Sequence, residues 1–183
     1  MSLDNLYGPM AEPASPPKDV EKQYNPISLQ QLSETTAPLL RAYMESAEQG
    51  LKLPQVIHDT AVLLWLIPED EHVLFAAEEV IDKATGVFWS IRARDDRLPV
   101  PDDKIRIGHP SLLTNGEDKR ARIGGEIIYA ADEGRWYINN ASGRFGLREH
   151  QTRENLEAAA GLFTNFGIHL IVDFIPPRIK EKQ

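Results

Sequence analysis

The stretch ARIGGEIIYAADEGRWYINN, residues 121–140, decides the fold that the sequence predicts. Two runs rich in aromatic and β-branched residues flank a polar turn, Ala131-Asp132-Glu133-Gly134. Such runs joined by a short turn are typical of a β-hairpin. Because side chains alternate between the two faces of a strand, the hairpin is expected to have one apolar face. The residues expected on that face are Ile123, Ile127, Tyr129, Trp136 and Ile138.

Further strands and helices are predicted on both sides of this hairpin. An apolar stripe at helical spacing after Pro38 predicts a helix that ends near Gly50, and Thr152 is placed to cap a helix that Gly167 ends. A shorter helix is expected after Ser28. Strands with helices before and after them indicate the α+β class, with a mainly antiparallel sheet, an N-terminal helical segment and one helix before the last strand. The further predicted strands are residues 61–67, 72–76, 86–92, 104–107 and 168–175.

Composition divides the chain into three parts. Residues 1–25 contain four prolines among small and charged residues, which predicts a flexible Pro-rich arm. The alternative is a connector to a delivery module or an arm docked on a partner. Residues 26–177 predict a single globular α+β domain, because a chain of 183 residues can bury one core. Residues 178–183 predict a charged tail.

Charge and composition exclude several classes of function. The net charge of −8 opposes nucleic-acid binding, which needs lysine and arginine to neutralise phosphates. The absence of cysteine excludes disulfides and thiolate catalysis, and the five histidines lack the spacing of metal ligands, so no metal is expected. The longest apolar run, residues 61–67, is far shorter than the ~20 residues that span a bilayer, so no membrane partner is expected. With no signal-peptide pattern, we expect a cytoplasmic protein or one secreted by a route without a cleaved signal peptide.

Two residues are candidates for catalysis. His109 follows a predicted strand and precedes Pro110, which indicates an exposed, well-held turn. Its imidazole could hold a ribose or phosphate, or transfer protons near neutral pH. Glu126 follows Gly124-Gly125 inside a strand, where glycines permit close approach of a ligand or of backbone, so it could be a general base or bind a sugar. The alternatives are a surface or capping histidine and a solvent-facing glutamate.

A candidate anion site follows the hairpin. The small residues of Asn139-Asn140-Ala141-Ser142-Gly143-Arg144 let backbone N–H groups face outward, and Arg144 or Arg148 adds a guanidinium for phosphate or carboxylate. The helix that begins at Thr152 adds an N-terminus that favours an anion. The alternative is ordinary turn chemistry with solvated arginines. The residues predicted to bind the ligand are Ser111, Asn140, Ser142, Gly143 and Arg144.

Four short motifs in the second half of the chain form one pattern. They are His109-Pro110-Ser111-Leu112, Gly125-Glu126, Ser142-Gly143-Arg144-Phe145 and Thr152-x-x-Asn155. The pattern resembles a segment shared by plant IQ-motif calmodulin-binding proteins and by bacterial effectors and polymorphic-toxin-like proteins. Pro110 replaces the first serine of that segment, Arg144 replaces its second histidine, and no IQ motif is visible. The resemblance implies an effector-type domain without implying an established reaction.

These observations lead to two main functional hypotheses. The first is a bacterial effector- or toxin-type domain that binds a nucleotide-like ligand, with NAD as the candidate cofactor and ADP-ribosyl transfer as the candidate reaction. In it, His109 holds the ribose, Glu126 is the catalytic carboxylate, and Arg144 with Ser142 holds the phosphate. The alternative is a non-catalytic protein-interaction module of a secretion or toxin–antitoxin system, whose acidic balance suits a basic partner. A housekeeping domain with no known ligand is the third hypothesis.

Overall fold

A β-hairpin near the middle of the larger of two sheets organises the structure. The computed structural model describes residues 2–48, 62–91, 94 and 99–177 of the chain. Within these residues the helices are α1 (Leu3–Tyr7), α2 (Asp19–Gln23), α3 (Ala37–Glu48) and α4 (Arg153–Thr164). The strands are β1 (Gln30–Gln31), β2 (Leu63–Ile67), β3 (Leu74–Ala77), β4 (Glu79–Asp82), β5 (Phe88–Ile91), β6 (Lys104–Arg106), β7 (Ile123–Ala130), β8 (Arg135–Asn139) and β9 (Ile171–Asp173).

The strands form two sheets that are almost entirely antiparallel. The larger sheet has the order β1-β3-β2-β7-β8-β9, and the smaller sheet has the order β5-β4-β6. Among the described strands, only β9 runs parallel to its neighbour, β8. That pairing is possible because α4 carries the chain back from the end of β8 to the start of β9. The predicted α+β class with a mainly antiparallel sheet is confirmed.

In the hairpin of β7 and β8, the residues predicted to share one apolar face lie together. Ile127 lies opposite Ile138, and Tyr129 lies opposite Trp136. The rings of Tyr129 and Trp136 are 5.1 Å apart, centre to centre, which is a favourable aromatic contact. Local alternation of side chains therefore sufficed to predict this part of the sheet.

The two faces of the larger sheet carry separate cores. Trp65 and Ile127 lie in the main core, which α3 and α4 cover. Leu64 and Leu66 point to the opposite face, where Phe145 and a short 3-10 helix, His109–Leu112, pack against them. Every residue of β2 is buried, as expected of a strand covered on both faces.

Helices α3 and α4 match the predicted helical stripes. The side chains of Leu40 and Met44 on α3 are buried, whereas Leu39, also expected in the stripe, is exposed. In α4, Thr152 and Asn155 form a capping box, and Gly167 adopts a positive φ of 72° just after the helix. The predicted helix end at Gly50 and the tail 178–183 lie outside the described residues.

Three local predictions differ from the structure. No helix follows Ser28; its hydroxyl donates to Glu79 Oε1 and accepts from Ala77 N, so the chain continues into the edge strand β1. The last strand spans only Ile171–Asp173 rather than residues 168–175. Strand β4 was not predicted, because its acidic ends hide the alternation. In each case a partner distant in sequence decides the local conformation.

Residues 2–25, called the N-terminal segment below, differ from the flexible arm expected over 1–25. Tyr7 and Glu21 are buried, and Ala11 forms an isolated bridge with Ala121. Helix α1 packs against α4, and Asn155 Nδ2 donates to Leu6 O at 3.0 Å. A few anchoring groups hold a segment whose overall composition is poor in apolar residues. The domain boundary at residue 25 stays a prediction.

Candidate functional site

The candidate site lies on the sheet face opposite α3 and α4, where the 3-10 helix His109–Leu112 packs against β2 and β3 and His109 contacts β7. His109 is 7% exposed, so the predicted exposed turn is wrong. Its Nε2 lies 2.8 Å from the carbonyl oxygen of Gly125. Burial lowers the pKa of His109 to about 4, which keeps the imidazole neutral at pH 7. Nε2 therefore donates to that carbonyl, and the ring fastens the 3-10 helix to the sheet.

Glu126 lies on the same face and is part of an ionic cluster. Arg94 Nη2 lies 2.6 Å from Glu126 Oε1 and 2.6 Å from Glu78 Oε1. Arg94 Nε also donates to Glu78 Oε2 at 2.9 Å, so Arg94 binds Glu78 with two hydrogen bonds. Burial raises the pKa of the Glu126 carboxyl, and the adjacent guanidinium partly offsets that effect. Glu126 is thus neither solvent-facing nor isolated from a second carboxylate.

The glycine pair before Glu126 permits close approach of backbone. A Cβ on Gly125 would lie 1.8 Å from the carbonyl oxygen of Asn139 on β8. A Cβ on Gly124 would lie 2.8 Å from a methyl group of Leu66 and 3.4 Å from the ring of His109. The sequence left open whether these glycines admit a ligand or a neighbouring part of the chain. In the structure, they admit neighbouring groups of the protein.

The polar residues after β8 hold the turn that follows the strand. The Asn140 side chain donates to the carbonyls of Gly146 and Ile175 and accepts from Ile175 N. Ser142 Oγ accepts from Phe145 N at 3.1 Å. Asn140 and Ser142 are buried, while Gly143 is exposed with open space around it. These side chains serve the fold, as the alternative of turn chemistry expects.

Arginines 144 and 148 bind the N-terminal segment. Arg144 Nη1 donates to Glu21 Oε2 at 2.6 Å, and Glu21 Oε1 accepts from Gly108 N at 3.0 Å. Arg148 Nη2 donates to the carbonyl oxygens of Ala11 and Glu12. The guanidinium groups predicted to hold a phosphate therefore hold the protein's own carboxylate and carbonyl groups.

Lys119 is a further charged group that the sequence did not single out. It is 1% exposed, and its Nζ donates to the carbonyls of Leu113 and Thr114 at 3.2 and 2.9 Å. Burial lowers its pKa, and the nearby Glu21 opposes that effect. Lys119 thus fixes the loop formed by residues 113–118.

Ser111 Oγ, a hydroxyl predicted to bind the ligand, also bonds within the chain. It donates to Gly108 O at 2.6 Å.

Two adjoining concavities open beside this loop, with volumes of about 460 and 570 Å³. Both are lined by Pro68 and Glu69 on one side and by Leu113, Thr114 and Asn115 on the other. We call this continuous depression the groove. It lies apart from the predicted ligand-binding residues, none of which lines it.

Sequence reasoning missed Glu78, Arg94, Glu21 and Lys119 at this face. Glu21 lies in a segment whose composition predicted an arm, and no spacing pattern links it with Arg144. Glu78 immediately precedes the unpredicted β4, and Arg94 looked like one of several arginines balanced by neighbouring aspartates. Only long-range contacts bring these charges together.

The structure offers no metal centre or membrane helix among the residues it describes. No group of three or more histidine, aspartate or glutamate side chains there is placed to hold a metal ion. None of the described helices is long and apolar enough to cross a membrane.

Comparison with known proteins found no match. No family model matches the chain, and neither a curated protein nor a solved structure is significantly similar to it.

Proposed function

We propose that this chain is a non-catalytic protein-interaction module. The observation that carries the proposal is that the polar side chains expected to serve a ligand bond within the chain. His109, Ser111, Asn140 and Ser142 bond to backbone groups, and Glu126 and Arg144 form ion pairs. Binding a nucleotide through these groups would require breaking contacts that are mostly buried, which is costly.

The protonation state of His109 also favours a structural role. A general acid or base works best with a pKa near the operating pH. The pKa of about 4 leaves His109 neutral, and its Nε2 proton is engaged by Gly125. The imidazole is therefore poorly suited to exchange protons with a ligand.

The surface properties suit binding to a protein. The net charge of −8 favours association with a basic surface, because complementary charge speeds encounter and excludes wrong partners. The groove beside the 113–118 loop provides a concave, partly apolar surface outside the ionic cluster.

A thermal-shift panel tests the proposal against small-ligand binding. NAD, ADP-ribose, ATP and inorganic phosphate are each added to the wild-type chain, to Arg144→Ala and to the control Asp132→Asn. A ligand at ~100 times its Kd adds roughly 2.7 kcal/mol, a shift of several degrees for a chain of this length. The interaction module predicts no shift with any of the four. A shift in the wild type and the control that is absent in Arg144→Ala contradicts it.

One observation favours the effector-type domain with NAD as the second candidate function. Glu78 and Glu126 contact the same nitrogen of Arg94, whose side chain is 47% exposed. Displacing Arg94 would uncover two neighbouring carboxylates, and a carboxylate can stabilise the positive charge that develops on a ribose as its bond to nicotinamide breaks. In this candidate Glu126 is the catalytic carboxylate of ADP-ribosyl transfer.

Release of nicotinamide from NAD tests this second candidate. The wild type, Glu126→Gln and Asp132→Asn are incubated with NAD, and free nicotinamide is measured. Release by the wild type and the control that is lost in Glu126→Gln would support the enzyme and reject the interaction module. Equal release from all three, or none, rejects the role of Glu126.

A further inference from the structure

The floor of the groove is part of the core on the sheet face opposite α3 and α4, which we call the second core. Leu112 and Leu113 form part of that core, and Leu29 and Leu74 pack against it from the edge of the sheet. All four residues line the larger concavity. Leu29 and Leu74 are only partly buried. The groove therefore exposes apolar surface that is continuous with the packed core and accessible to a binding partner. A binding partner that fills the groove would remove this apolar surface from water, which is favourable.

The rim of the groove is acidic. Glu69, Glu117 and Asp118 line it, against one guanidinium, that of Arg120. Arg120 Nε and Nη2 each lie 2.9 Å from a carboxylate oxygen of Asp118, and Lys22 Nζ lies 2.9 Å from Glu117 Oε2, so Asp118 and Glu117 are already paired within the chain. Asp70, next to Glu69, is 83% exposed on the same side. The side of the rim formed by Glu69 and Asp70 therefore attracts cations.

The backbone of the 113–118 loop is already bonded within the chain. Leu113 O accepts from both Asn25 Nδ2 and Lys119 Nζ, and Gly116 N donates to Lys22 O. These bonds fix the loop before any ligand arrives, so little ordering cost remains for binding. Recognition in the groove then depends on apolar contact and on charge.

We propose that the groove binds an extended basic segment of a partner protein. Apolar side chains of the segment fill the two concavities over Leu74 and Leu113, and its lysines or arginines face Glu69 and Asp70. An extended chain suits two adjoining concavities, because alternate side chains on one face lie about 7 Å apart. The inference rests on the proposed function and names the surface and the chemistry of its partner.

Selection from a randomised peptide library displayed on phage tests the inference. Selections run in parallel against the wild-type chain, Asn115→Trp and Asp132→Lys. Asn115 is an exposed loop residue that lines both concavities, so an indole there obstructs the groove without entering the core. Asp132 lies in the hairpin turn beyond Ala130, at the far end of β7 from the groove, and its substitution controls for a change in charge.

Peptides enriched on the wild type and on Asp132→Lys, but not on Asn115→Trp, are expected, with an excess of lysine and arginine over acidic residues. The most enriched peptide is then synthesised with a fluorescent label, and its Kd is measured by anisotropy. Glu69→Lys is expected to raise the Kd about fivefold, the effect of about 1 kcal/mol from one exposed charge pair.

Three outcomes would overturn the inference. Peptides enriched equally on Asn115→Trp would place binding elsewhere, and enriched peptides without basic excess would remove the charge argument; both leave the proposed function standing. Self-association of the wild type that Asn115→Trp abolishes, measured by sedimentation velocity, would make a second copy the occupant. Enrichment on none of the three chains, together with a thermal shift by NAD, would instead reject the proposed function.

Discussion

Arg144 Nη1 lies 2.6 Å from Oε2 of Glu21, a carboxylate that is 2% exposed and 123 positions away along the chain. The same carboxylate accepts from the backbone N–H groups of Lys18 and Gly108. Glu21 thus joins the N-terminal segment to the 3-10 helix and to the turn after β8. Arg144, which the sequence predicts to bind an anionic ligand, instead binds the carboxylate of Glu21 in its own chain.

Glu21→Gln is expected to release part of the N-terminal segment and to lower the free energy of unfolding by about 2 to 4 kcal/mol. Removing one partner of a buried ion pair leaves the other charge uncompensated, which is the costly case. Urea unfolding measures the loss, and limited trypsin digestion should show faster cleavage after Lys18 and Lys22. Asp132→Asn, at an exposed carboxylate in the hairpin turn, is the control and should change neither readout.

Equal trypsin sensitivity of Glu21→Gln and Asp132→Asn would show that the ion pair does not hold the segment. Stability lost without faster cleavage would mean that Glu21 supports only the 3-10 helix, through Gly108.

The sequence predicted those parts of the fold that local patterns control. The hairpin follows from alternation and a polar turn, and α4 follows from its apolar stripe and the Thr152 cap. The same reasoning failed at Ser28, because the carboxylate of Glu79, 51 positions away, captures its backbone N–H and hydroxyl. A local cap signal cannot reveal a competing partner so distant in sequence.

Local sequence patterns do not encode the contacts that the candidate-site residues make. His109 and Glu126 lie on the sheet face opposite α4, whereas Thr152 and Asn155 cap α4 itself, and the polar atoms of all four contact protein groups. Whether Glu126 meets Arg94 and Glu78, or Arg144 meets Glu21, depends on long-range contacts that neither spacing nor composition encodes. Burial of His109 against β7 likewise has no local signature.

The stability of the protein should depend on pH through His109. Its pKa in the folded state, about 4, is below the value near 6.5 of an exposed histidine, so the unfolded chain binds the extra proton as the pH falls between these values. Stability from this group is therefore complete above pH 6.5 and is lost toward pH 4. The slope approaches 1.4 kcal/mol per pH unit, and the loss over this range is on the order of 3 kcal/mol.

Urea unfolding of the wild type and His109→Gln at pH 7.0, 5.5 and 4.5 measures this contribution. The glutamine keeps an N–H donor for Gly125 but does not titrate. Because carboxylates such as Glu126 titrate in both proteins, their effects cancel in the difference between the two curves. The wild type should lose stability more steeply than His109→Gln as the pH falls; parallel curves would show that His109 is not buried neutral.

Gly125→Ala and Gly143→Ala are expected to have opposite outcomes. A methyl group at Gly125 would overlap the carbonyl oxygen of Asn139, so β7 and β8 would have to separate, at a cost of more than about 3 kcal/mol. Gly143 has open space and no positive φ, so its substitution should change stability by less than about 0.5 kcal/mol.

Thermal unfolding and the soluble yield of the two variants measure this contrast. A Gly125→Ala variant as stable as the wild type would contradict the close approach of the two strands, and loss of the folded state in Gly143→Ala would contradict the open space at that turn. An unchanged Gly143→Ala would also show that the turn tolerates a side chain at this predicted ligand-binding position.

Lys119→Met should loosen the loop of residues 113–118 while leaving the larger sheet intact. The methionine fills a similar space but removes the donor to the carbonyls of Leu113 and Thr114, at a cost of about 1 to 3 kcal/mol for the unsatisfied groups. Hydrogen exchange should therefore quicken in the loop, including at Gly116, and remain slow in β2 and β7. Lys83→Met, at an exposed lysine far along the chain, is the matched control. Faster exchange throughout β2 and β7 would mean that Lys119 supports the second core itself, whereas unchanged exchange in the loop would mean that Asn25 holds Leu113 without it.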